Sequence, residues 1–292
     1  MFRAIKRLLI GGFIVLLLAT IAFVILSSDP KPALPNPNGY DDFVKAGQML
    51  TSSVGSRDLS EYWKMSLTEL RLFALTNAEA LKVARTGLSR ECRVPLKRRT
   101  EWFRAHMDDM ANFNRLAYAF CLTGRLAWLE GRTNEAINAH LDVIRFAHET
   151  ARGGLLPDES DSRSMESSAL WDLKNFQRSL DAAQNHYVAK SLQDIDERSE
   201  SWGDFLKRDL RYTVRAEYTA LFSLNSWRVL PNQKARFHQA QAWHRQVMLD
   251  FAVHSYELEK GDRPKRLTDL IPVYLKAIPR DPTSGTDFVY TP

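Results

Sequence analysis

Cysteine is nearly absent: Cys92 and Cys121 are the only two in 292 residues, so no disulfide framework can stand in for a hydrophobic core. Proline is scarce over most of the chain. Between residues 38 and 263 there are three, Pro95, Pro157 and Pro231, which leaves room for long helices and little for β-structure. An excess of one charge is also lacking. The formal charge is +5, of which Arg3, Lys6 and Arg7 supply three, and the remaining +2 is too little for a nucleic-acid surface. With 45% apolar and 26% charged residues, the balance is that of a folded chain rather than a disordered one.

Familiar catalytic patterns are missing as well. Neither G-x-x-x-x-G-K-[ST] nor G-x-G-x-x-G occurs, which removes the usual phosphate cradles. The nearest approach to G-x-S-x-G, Gly87-Leu-Ser89-Arg-Glu91, falls at a predicted helix end, and the only S-x-x-K, Ser28 to Lys31, lies among prolines. His148-Glu149-Thr-Ala-Arg152 begins like H-E-x-x-H but carries Arg where the second zinc ligand must stand. His244 and His254 share a helix stripe, yet ten residues of helix put them about 15 Å apart. These failures predict no catalytic, cofactor or metal residue. His106, His244 and His254 read as core or boundary histidines bonded to neighbours. The adjacent acids Asp41-Asp42, Asp108-Asp109 and Asp158-Glu159 read as helix starts or solvated surface. The basic group Arg90, Arg93, Lys97, Arg98, Arg99 and Arg104 reads as a solvated loop and helix start, with an anionic surface as the alternative. A single helix over 97–129 would hold Cys121 about 36 Å from Cys92, so both thiols are expected free and mostly buried.

What is present begins with an address. Leu8 to Leu26 are nineteen uncharged residues, about 28 Å of helix, enough to cross a bilayer core. The run is longer than the core of a cleavable signal and has no small-x-small site at Val24-Ile25-Leu26-Ser27-Ser28, so an uncleaved signal-anchor is expected. Arg3, Lys6 and Arg7 before it place Met1 in the cytoplasm. The expected division is a cytoplasmic stub at 1–7, a transmembrane anchor at 8–26, a Pro-rich stalk at 27–39, an extracytoplasmic α-helical domain at 40–260 and an irregular cap at 261–292. The domain would be periplasmic in a cell with two membranes.

Within the domain, Phe103, His106, Met110, Phe113, Ala117, Phe120, Gly124 and Ala127 alternate steps of three and four, the seam of a packed helix. Phe237, Ala240, His244, Val247, Phe251, His254 and Leu258 repeat the rhythm. A helix over 66–86 opens with the capping box Ser66-Leu-Thr-Glu69. Further helices are predicted near 41–53, 134–151, 163–183 and 201–225. Gly124 to Ala136 reads as one tight helical hairpin with a Thr133 cap, and no 34-residue repeat accompanies it. The fold class is all-α. After Gly261, four closely spaced prolines predict a helical turn at 267–271 and then a loop with a small strand or hairpin.

Several stretches resemble a family of uncharacterised bacterial membrane-anchored helical proteins: Leu34-Pro-Asn-Pro-Asn-Gly-Tyr-Asp-Asp-Phe43, Asn77-Ala-Glu-Ala-Leu81, Cys92-Arg-Val-Pro95, Glu130-Gly-Arg132 with Glu135-Ala136, and Arg152-Gly-Gly-Leu155. The resemblance implies the helical architecture and the membrane address and brings no catalytic residue. Residues 261–290 are also similar to the C-terminal segment of type II secretion major pseudopilins, through Tyr274-Leu275, Pro279-Arg-Asp-Pro282 and Tyr290. The pseudopilin processing motif and its Glu are absent from the N-terminus, so the tail reads as a structural cap.

The function expected from these observations is binding or scaffolding in the cell envelope. The expected partners are membrane lipid through residues 8–26 and an envelope protein, without nucleic acid. Two alternatives stay open: a membrane-tethered envelope hydrolase without a recognisable motif, and a secretion or pilus-machinery accessory. A pocket joining His106 or His244 to two carboxylates would favour the enzyme, and a filled bundle would favour binding.

Overall fold

The computed structural model describes residues 11, 12, 14, 17, 20, 33–51, 64–97, 100–215 and 219–292, with the backbone alone at 100, 213–215 and 219–229. Among the described residues the fold is all-α, without a β-strand. Its helices are α1 (Gly39–Met49), α2 (Leu67–Thr76), α3 (Ala78–Leu88), α4 (Thr100–Leu129), α5 (Thr133–Ala151), α6 (Leu156–Phe176), α7 (Ala182–Asp196), α8 (Trp202–Arg215) and α9 (Thr219–Lys260). Most of the expected anchor, 8–26, and residues 27–32 of the expected stalk lie outside the described residues, as do Arg98 and Arg99 of the basic group. No helix among the described residues is long and apolar enough to cross a membrane.

Helices α4, α5 and α6 pack as consecutive antiparallel neighbours, α7 lies along α9, and α1 is held between α3 and α4. The α4 seam forms as its periodicity predicts: seven of its eight positions are buried and only Phe103 is exposed. Phe113 and Phe120 from this seam meet Phe146 of α5. Phe43 of α1 closes the cluster edge-on, 4.8 Å from Phe146 between ring centroids. Each such ring contributes about 2–3 kcal/mol by burial, so the group joins three helices that sequence distance keeps apart. The α4–α5 hairpin is real and turns at Gly131, whose φ of +75° is a left-handed conformation open to glycine. Thr133 is the first residue of α5 and not its cap; Arg132 holds the cap position.

Four expected boundaries move for local reasons. The capping box of Ser66 and Glu69 is present, but the predicted 66–86 helix is two helices. Asn77 divides them, because its buried amide bonds Phe73 O and takes bonds from Thr51 N and Oγ1. The predicted 163–183 helix starts earlier, since Pro157 is tolerated in a first turn, and Asp181 already begins the next helix with Gln184 as its reciprocal partner. That next helix, α7, is absent from the sequence reading. Lastly, α9 runs through Pro231, which is exposed, so its ring meets no packed neighbour helix.

The C-terminal segment is a cap, as its prolines predict: a 3-10 turn at Leu267–Leu270, then irregular chain with one antiparallel bridge between Arg280 and Asp287. Leu270, Tyr274 and Leu275 are buried against the bundle. Gln193 of α7 ties them down, accepting from Lys276 N at 2.8 Å and donating to Ala277 O.

Candidate functional site

Three histidine–carboxylate groups lie inside this bundle, and α6 supplies the acid to each. At its start, Asp158 Oδ2 accepts the Leu155 N–H at 2.7 Å and fixes the first turn. Its Oδ1 bonds His106 Nε2 at 2.7 Å, and His106 Nδ1 bonds the Tyr40 hydroxyl at 2.8 Å. Trp102 stacks on the imidazole with centroids 4.6 Å apart. The Tyr40 pKa is driven up by burial, with the nearby carboxylates Asp109 and Asp158 adding to it, so the phenol stays protonated.

Farther along α6, Asp172 meets His140 Nε2 at 3.2 Å, while His140 Nδ1 donates to Ala136 O. The Cys121 thiol is close by, and burial pushes its pKa up. The ring fits because residue 124 is glycine: a Cβ there would stand 2.5 Å from His140 Cε1. Cys92 and Cys121 are both buried free thiols.

The third group, at the middle of α6, differs. Glu166 Oε1 faces His148 Nε2 of α5 at 3.0 Å and His244 Nδ1 of α9 at 2.6 Å. The outer nitrogens are already engaged. His244 Nε2 donates to the Leu192 carbonyl at 2.9 Å. His148 Nδ1 lies 3.0 Å from Ser199 Oγ, whose single proton goes to Ile195 O, so the hydroxyl accepts from the ring. Burial opposes the Glu166 charge, yet the His148 charge and the bonds from both rings outweigh it and hold the carboxyl far below its ordinary range. Burial likewise pulls His244 down, but the Glu166 bond and charge win and raise it.

This group opens onto a cleft with a cavity volume of about 50 Å³, bordered also by Glu159, Ser162, Arg163 and Phe237. A water needs roughly 10–15 Å³ by the same measure, so the cleft has room for a few waters or one small ion and not for a sugar ring. Glu159 is buried, and desolvation lifts its pKa to about 7 although the Arg163 guanidinium stands 3.0 Å away. The contact is angularly poor: Glu159 Oε2 is buried without a hydrogen bond. The cleft thus joins His244 to two carboxylates.

The sequence reading of His106 and His244 as bonded core histidines holds, with both 2% exposed, and His254 is a boundary residue bonded to Glu257. The reading of Asp158-Glu159 as helix start or solvated surface is corrected in part: Asp158 does begin α6, but neither acid is solvated, each being 4% exposed. Asp42 pairs with Arg90 at the surface, and Arg152, which spoils the H-E-x-x-H pattern, pairs with Glu149. Glu166 was not singled out in the sequence, and His148 only within the failed motif. The signal that could have marked them is the run Asp158, Glu159, Ser162, Glu166, Asp172, whose polar residues all fall on buried positions of one helix. No family model matches the chain, and no curated protein or solved structure matches it.

Proposed function

We propose that the chain is a single-pass membrane protein, held by residues 8–26 with Met1 in the cytoplasm, whose helical body binds or scaffolds a protein partner in the cell envelope. The observation that carries this reading is the nineteen-residue uncharged run behind Arg3, Lys6 and Arg7. The resemblance to membrane-anchored helical proteins supports the same address. The cleft beside Glu166, at about 50 Å³, is too small for several linked units of an envelope polymer, which favours binding over cleavage at that place. Cell fractionation with protease accessibility tests it. The body should sediment with membranes and resist protease until the outer barrier is opened, and a soluble mature chain trimmed near residue 28 would overturn it.

A second reading, a membrane-tethered hydrolase, is favoured by one observation: Glu159, with its pKa near 7, shares a cleft with His148 and His244, as a general base and its partners would. Turnover of a small envelope-derived ester or amide by the purified chain, lost in Glu159→Gln, would select it. For a secretion accessory role the support is the tail similarity alone. Burial of Leu270, Tyr274 and Leu275 gives that tail a structural task of its own.

A further inference from the structure

We propose that His148, Glu166 and His244 form a binding site for one divalent transition-metal ion of the zinc class. One donor atom of each residue lies within 4.8 Å of the others, although the three come from α5, α6 and α9. The hydrogen bonds around them set the tautomers. Leu192 O takes the proton-bearing nitrogen of His244, and Ser199 Oγ, committed to Ile195 O, takes that of His148. With a single proton each, both rings therefore turn a nitrogen lone pair toward the same oxygen, Glu166 Oε1, and only a second proton on a ring makes that contact a hydrogen bond. Three donor atoms converging in a buried place call for positive charge among them, which ring protons supply in the metal-free protein and which one metal ion replaces. Outer partners of this kind, a carbonyl and a hydroxyl on the far side of each imidazole, are what orient metal-binding histidines.

The dimensions agree. Donors about 2.0–2.1 Å from a tetrahedral zinc stand roughly 3.3 Å from one another. The present separations of 3.0 and 2.6 Å reach that spacing by outward shifts of a few tenths of an ångström. Two imidazoles and one carboxylate suit zinc or cobalt, whereas magnesium and calcium take oxygen ligands. The adjoining cleft leaves the fourth position to water. The Cys121, His140 and Asp172 group also brings its donors within 4.8 Å, but all three residues are buried and border no part of this cleft. The proposal holds whichever side of a membrane the body occupies.

The test uses the full chain, purified in detergent and stripped with a chelator. Zinc titrated against a chromophoric competitor should bind at one ion per chain, and millimolar magnesium should not displace it. Glu166→Gln and His244→Gln should weaken binding by more than about 100-fold, Ser199→Ala by about tenfold, and His254→Ala should leave it unchanged. X-ray absorption of the zinc-loaded wild-type chain should show two imidazoles with oxygen ligands and no sulfur, which decides the matter even where a variant fails to fold. Absence of zinc binding, a different ligand set, or undiminished affinity in correctly folded Glu166→Gln would overturn the site.

Discussion

Of the three places along α6 that bring histidine to a carboxylate, two have opposite outcomes. Around His106 every polar atom has a partner of its own: Tyr40 on one nitrogen, Asp158 on the other, Trp102 over the face. The carboxylate only accepts, so the ring carries its proton on Nε2 and the Tyr40 phenol donates to Nδ1, and this one tautomer satisfies both nitrogens. Around Glu166, two rings compete for a single oxygen, and the His148 side chain keeps 20% of its surface open beside the cleft. One-to-one satisfaction describes a polar group built into a core. Two nitrogens on one oxygen beside a cleft are the arrangement on which the proposed metal site rests.

The comparison can be broken or sharpened by substitution. Asp158→Ala removes the partner of His106 and the cap of Leu155 together, and should lower unfolding free energy by about 4 kcal/mol in urea titration. If that group is purely structural, zinc affinity of the folded fraction should not change. Next in size is Glu159→Gln. The Glu159 pKa rises from 4.5 in the unfolded chain to about 7 in the folded one. Between those values the folded chain keeps a proton that the unfolded chain releases, so this group erodes stability as pH rises and does so fully above about 7. Glu159→Gln should therefore stabilise by about 3 kcal/mol at pH 8 and by almost nothing at pH 4, read from denaturant midpoints at both pH values. A constant difference across pH would mean that Glu159 is ionised like any surface acid. Smallest is Tyr40→Phe, which leaves His106 Nδ1 unpaired and should cost about 1–2 kcal/mol. A neutral result there would show that the ring is not satisfied one-to-one after all.

Core positions were legible in the seam from His106 to Ala127, whereas the same rhythm in α9 buries His244, Val247 and Phe251 and leaves Phe237, Ala240 and His254 half-buried and Leu258 exposed. Legibility failed where a polar side chain works inward. Asn77 ends a helix through bonds to Phe73 and Thr51 that no periodicity announces. Asp181 looks like one more residue of a polar run until its reciprocal bonds with Gln184 are seen. The Glu166 group was hidden for a related reason. A search for metal ligands one turn apart tests a single helix, whereas His148, Glu166 and His244 come from three, separated by 18 and 78 residues from their shared acid. Composition marks acids as solvated by default, and α6 turns Asp158, Glu159, Glu166 and Asp172 to the inside.

The junction at the start of α1 has a mechanical meaning. Asn38 clasps both the N–H and the carbonyl of Arg93, and Gly39 N–H holds Glu91 O at 3.0 Å. A pull arriving along the preceding chain loads these three bonds together before it strains any helix. The next residue is Tyr40, so slippage at the clasp would draw the phenol off His106 and carry the disturbance from the rim to the interior in a single step.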